Sequence, residues 1–141
     1  MNLSTDLQAN FMVACGQTIN TVNWKQIELY KELIREEIVR ELFPALDAWM
    51  ADPLNEENIR EVLDAIGDSL VVVRGLAYSM GQNPNQILYR IDQSNLTKIP
   101  KGDNKVKKRE DGKILKPDTF EPPVLDDLVR SVFDKMTRSE R

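Results

Sequence analysis

Three glutamates fall within six residues in the run Glu36-Glu37-Ile38-Val39-Arg40-Glu41. If this run is helical, Glu37 lies four and three residues after Leu33 and Ile34 and continues their apolar stripe. Glu41 then sits one turn beyond, and Glu36 lies at the flank. Asp64 and Asp68 repeat the four-residue spacing on a stripe that continues through Val72 and Gly75. Carboxylates on a core-facing stripe are costly to bury unless a cation or a donor compensates them. Two antiparallel helices bearing these pairs can aim them at one another across a short gap. Such a gap suits Mg²⁺, a hard cation that takes octahedral oxygen coordination and keeps part of its water, with Mn²⁺ as the alternative ion. The same spacing on a single helix commonly marks a solvated face, and Arg35 and Arg40 offer neutralisation of Glu36 and Glu41 without any metal.

Absences narrow the chemistry further. The chain contains no histidine, which removes imidazole bases, triads built on them and histidine zinc sites. Its single cysteine, Cys15, excludes an intrachain disulfide and reads as a small core residue. Catalysis must rest on carboxylates, lysines, arginines, amides or hydroxyls.

The elements that have to position these groups read as helices. Helix one is predicted from about Ser4 to about Thr18, with Thr5 and Gln8 at capping-box spacing. The second starts at Asn23 and runs towards Trp49 on the stripe Ile27, Tyr30, Leu33, Ile34, Ile38 and Leu42, with Pro44 able to bend or divide it. Asp52-Pro53 stops it. The third opens at Asn55 and ends at Gly81; its run Leu70-Val71-Val72-Val73 is apolar all round, which predicts a central, buried helix. A fourth starts from Asn83 and Pro84 and reaches about Gln93. Beyond Ile99-Pro100 the chain turns basic and irregular, with a hairpin or loop around Asp111-Gly112 and a short last helix capped by Asp126 or Asp127. The fold class is all-α: a helical body over residues 1–97, with 98–141 as a basic loop and C-terminal extension of the same domain.

The net charge of −4 is unevenly placed. Lys98 to Lys116 carries eight basic and three acidic residues, which leaves an acidic body and one basic loop. That distribution suits an anionic ligand bridged to the body by a cation. Nucleic acid is a poor fit, since the whole chain is acidic and the loop has no aromatic residue for stacking before Phe120. No apolar run has the length of a membrane span, and the N-terminal stretch lacks the pattern of a secretion signal, so a cytoplasmic protein is expected.

The order of these motifs resembles the MazG-like all-α nucleoside triphosphate pyrophosphohydrolases, which include phosphoribosyl-ATP pyrophosphohydrolases and dimeric dUTPases. The resemblance rests on Leu33-Ile-Arg-Glu-Glu37, then Asp64-Ala-Ile-Gly-Asp68 and Gly75-Leu-Ala. The segments Phe11-Met-Val-Ala-Cys-Gly-Gln17, Ser94-Asn-Leu-Thr-Lys98, Asp111-Gly-Lys-Ile-Leu-Lys-Pro117 and Pro122-Pro123 look like a subgroup of bacteria and their phages. It implies hydrolysis of a nucleoside triphosphate to monophosphate and pyrophosphate. Glu36, Glu37, Asp64 and Asp68 would be the Mg²⁺ ligands, and Glu36 or Glu37 the general base. Asn95, Lys98, Lys113 and Lys116 would contact phosphate or sugar, and Gln17 the base. It also implies a homodimer or homotetramer, in which oligomerisation completes the core of the helical bundle. The family's first motif is Glu-Glu-x-x-Glu, and here Arg40 holds the third position. Either Glu41 takes the role through a local change of helix register, or one ligand is missing and the chain is a weak or regulatory relative.

Overall fold

The computed structural model describes residues 6–100 and 105–139, and the chain clusters into two compact units, residues 1–82 with 132–141, and residues 83–131. The described residues are mostly helical, with two isolated antiparallel bridges, Val22 to Met80 and Lys108 to Ile114, and no strand. Among them no helix is long and apolar enough to cross a membrane.

In the first unit, α1 spans Leu7–Ala14. It is shorter than its sequence suggests. Asp6 caps it by accepting from the backbone N–H of Gln8 and Ala9, and Gly16 (φ 81) turns the chain away at the other end. Ser4 and Thr5 lie outside the described residues.

The next helical rod has three parts: α2 (Trp24–Ile34), a π-helical segment (Arg35–Leu42) and α3 (Phe43–Ala51). Asn23 caps the start through Gln26 N–H. Pro44 does not end the rod. It stands at the head of α3, directly after the π segment. Proline has no N–H to donate and its ring crowds the carbonyl four residues back, so a widened turn before it relieves the conflict.

After a turn at Asp52–Asn55, α4 (Glu56–Ser79) returns antiparallel to the rod. Asn58 Nδ2 donates to Ala48 O at one end, and Asn23 N–H donates to Ser79 O at the other. Gly81 (φ 73) closes α4, because its left-handed backbone suits a residue without Cβ.

Ala9, Met12, Tyr30, Val72 and Tyr78 form the core, with Ile19, Leu33, Ile34 and Leu76 packed against it. The Tyr30 ring lies directly on Gly75, where an added Cβ would run into Tyr30 Cε1. The buried Gln26 has both ends of its amide engaged. Nε2 donates to Thr18 O and Ser79 Oγ, and Oε1 accepts from Thr18 N–H. Asp6 fastens α1 to α4 by accepting from Tyr78 OH and Arg74, and the Tyr78 hydrogen bond holds its carboxyl below the usual range.

Two expectations about burial fail in the single chain. Of the run Leu70–Val73 only Val72 is buried, and Cys15 is exposed rather than in the core. The run is helical, but α4 meets α2, the π segment, α3 and α1 without being surrounded by them.

In the second unit, α5 (Pro84–Leu96) follows its Asn83 cap and runs three residues further than expected. Arg90 grips Asp127 through two hydrogen bonds of 2.8 Å, which pushes that carboxyl down to about 2. Ser94 and Thr97 hydroxyls hold the Glu121 backbone. A tight turn at Gly112 (φ 91) folds Lys107–Leu115 back on itself as a minimal hairpin. Asp126 and Asp127 stand in the first turn of α6 (Asp126–Ser139), whose residues from Val132 on belong to the first unit, rather than capping it.

Candidate metal centre

The π segment lies where the carboxylates meet. One α-helical turn beyond Glu37 falls at position 41, and one beyond Glu36 at position 40. A π turn, bonded i to i+5, takes up about one more residue and moves the position beyond Glu36 to 41 as well. Phe43 N–H accordingly donates to Ile38 O, five residues back. Arg40 turns instead towards Glu32, 3.3 Å away, and Arg35 joins the same carboxylate at 2.6 Å. The two arginines therefore pair with Glu32, and among the described residues neither pairs with Glu36 or Glu41, the neutralisation that the sequence left open.

Glu37 and Glu41 of the rod meet Asp68 of α4, each contributing one oxygen to a set within 4.8 Å of one another. Glu37 Oε2 is buried and has no hydrogen-bond partner among the described residues. Burial, a hydrogen bond shared with the Glu41 carboxyl, and the charges of Glu41, Asp68 and Glu36 raise the Glu37 carboxyl from 4.5 to about 7. Burial and the charges of Asp64 and Glu41 raise that of Asp68. Three acids held this close, one with an orphaned oxygen, form a donor set of hard oxygens that a small divalent cation fits.

Glu36 and Asp64 are exposed and stand beside the cluster, acting on it through charge. Asp64 also lines a cavity of about 460 Å³ between α3 and α4 with Glu41 and Glu61. Glu61 was not among the expected residues. The signal was present in the spacing Glu61-Val-Leu-Asp64, which puts the two acids one turn apart.

No family model and no curated protein matches the chain.

The remaining expected contacts divide between the units. In the first, Gln17 Oε1 accepts a 2.7 Å hydrogen bond from Tyr30 OH. That fixes the side chain and leaves its amide N–H₂ for another acceptor. In the second, Lys98 and Lys116 line one cavity of about 460 Å³ together with Lys105 and Lys107. Charge composition could have nominated the last two, but only folding of the hairpin selects them from the basic segment. Lys113 and Asn95 are exposed and do not line this cavity. Lys116 Nζ also stacks 4.9 Å over the Phe120 ring.

Proposed function

We propose that this chain is a Mg²⁺-dependent nucleoside triphosphate pyrophosphohydrolase of the MazG-like kind, working as a homo-oligomer. The reading is carried by the Glu37, Glu41 and Asp68 cluster with its unpartnered Glu37 oxygen. A raised carboxyl held among like charges is the mark of a site waiting for positive charge. When bound, Mg²⁺ supplies charge neutralisation to the triphosphate and acidity to the attacking water.

The protein's own groups then divide the work. Glu37, Glu41 and Asp68 are committed to the cation. Glu36 is adjacent, exposed and outside that set, and takes the proton of the attacking water as general base. The water oxygen joins phosphorus, the bridging bond between the α- and β-phosphates breaks, and pyrophosphate leaves with the electron pair. Lys98 and Lys116 are point charges of the kind that holds phosphate.

The test is pyrophosphate release from a panel of ribo- and deoxyribonucleoside triphosphates with Mg²⁺, with Mn²⁺ and with EDTA. Metal-dependent appearance of monophosphate and pyrophosphate in equal amounts supports the reading. Binding of metal and nucleotide without turnover overturns it in favour of a regulatory relative.

A further inference from the structure

The hairpin of the second unit sorts its lysines by face. Lys108 pairs with Ile114 in the antiparallel bridge, Leu115 N–H donates to Lys107 O at 2.8 Å, and Arg109 N–H donates to Lys113 O at 2.7 Å. Successive side chains of an extended segment point to opposite sides, so Lys105 and Lys107 share one face and Lys108 takes the other. Lys105 and Lys107 line the cavity of about 460 Å³, together with Leu115, which stands opposite Lys107. The end of α5 supplies the facing wall. Thr97 Oγ1 accepts from Glu121 N–H at 2.8 Å, and Ser94 Oγ donates to Glu121 O at 2.7 Å. These bonds tie the chain that follows Lys116 to the helix end that precedes Lys98. The Phe120 ring holds the Lys116 ammonium from beneath.

Four ammonium groups therefore face one space, with a single carboxylate, Asp118, in its lining. Like charges gathered around one space repel each other, and solvent screens them only in part. Arg109, by contrast, is spent on Asp111 at 2.5 Å in the turn. Among the described residues Lys98, Lys107 and Lys116 form no ion pair. The rest of the described lining is Pro100, Leu115 and Pro117, which offers no side-chain amide, hydroxyl or ring to read a base or a sugar. Lysine brings three donors and no acceptor. The cavity thus selects for charge and for oxygen acceptors. A single phosphate carries about two negative charges at neutral pH and leaves the lining positive. Two joined phosphates balance it.

We infer that this cavity is a diphosphate site that needs no metal, with Lys105 and Lys107 as its contacts from the hairpin. Neither residue belongs to the motifs that nominated Lys98 and Lys116, and no pair of carboxylates lines the cavity to hold a cation. Free pyrophosphate and the β- and γ-phosphates of a nucleoside triphosphate present the same chemistry. The site stands without the proposed reaction, whereas the triphosphate as its source rests on that reading.

The experiment is calorimetric titration of the full chain with inorganic pyrophosphate, in buffer stripped of metal over chelating resin. We expect one pyrophosphate per chain, and inorganic phosphate to bind at least about tenfold more weakly. Lys105→Ala and Lys107→Ala should each weaken pyrophosphate by about tenfold, while Lys108→Ala, on the other face of the hairpin, stays within about twofold of wild type. No binding of pyrophosphate without metal overturns the site. Equal losses at positions 107 and 108 overturn it too, because a diffuse charge does not distinguish the two faces. In a second arm ATP is titrated into the pyrophosphate-loaded chain under the same metal-free conditions. Displacement supports the triphosphate tail as a source of the diphosphate. Without displacement the tail is overturned as a source, and the site stands for free pyrophosphate. Failure of the metal-dependent pyrophosphate assay with pyrophosphate binding intact would sink the proposed reaction alone.

Discussion

Glu37 holds the tension of the candidate site, and its titration carries a sign that can be checked. Its folded pKa of about 7 lies above the ordinary 4.5, so the fold favours the protonated form. The associated stability is complete below about pH 4.5 and is lost as pH rises through 7. Asp68, raised as well, acts in the same direction. In EDTA the melting temperature of the wild type is therefore expected to fall between pH 5 and pH 8 relative to Glu37→Gln, which has no such group to ionise. Mg²⁺ should stabilise the wild type more at pH 8 than at pH 5, because binding and proton loss are linked. Glu37→Gln should lose that Mg²⁺ response while gaining stability in EDTA at pH 8. Parallel pH curves for the two proteins in EDTA would show that Glu37 is not strained.

The π segment is where element and site meet. If the widened turn selects Glu41 for the cluster, then Glu41→Ala should abolish Mg²⁺-induced stabilisation, while Arg40→Ala leaves it intact. Arg40→Glu, although it restores the Glu-Glu-x-x-Glu spelling, should add nothing to Mg²⁺ affinity by calorimetry, since position 40 faces Glu32. A gain in affinity from Arg40→Glu would mean the segment is α-helical in solution. The opposite end of the same helix pair offers a packing test. Gly75→Ala forces a Cβ into the Tyr30 ring, and such overpacking costs about 1–3 kcal/mol, measurable by urea unfolding. Much of this level was readable in the residues. Asn23, Asn55 and Asn83 mark three helix starts, Asp52-Pro53 and Gly81 mark stops, and the acids that the spacing nominated, Glu36, Glu37, Glu41, Asp64 and Asp68, include the three that meet. The direction of Arg40 was not readable, because a one-residue change in helical winding leaves no periodicity over so short a run. Pro44 and the displacement of the third glutamate to position 41 were its local traces.

At the scale of the whole chain, apolar character predicts burial but does not name the chain that provides it. Leu70, Val71 and Val73 have the composition of a core and stay exposed, because hydrophobicity is set by side chains and coverage by whatever packs on them. Charge was more legible. The acids gather in the first unit and the lysines in the second, as the uneven net charge implied. This segregation separates two kinetic roles. Lys98→Ala and Lys116→Ala should each raise KM for the triphosphate roughly tenfold, equivalent to about 1.4 kcal/mol of lost binding. Neither should change the Mg²⁺-induced rise in melting temperature, which belongs to the acids. Lys113→Ala, outside the lysine-lined cavity, should leave KM within about twofold of wild type, a change near the error of such measurements. Equal effects at positions 98, 113 and 116 would mean that the basic segment acts as a diffuse charge rather than as a site. The salt dependence of KM would then be steep and common to all three variants, because screened long-range attraction does not distinguish one lysine from the next.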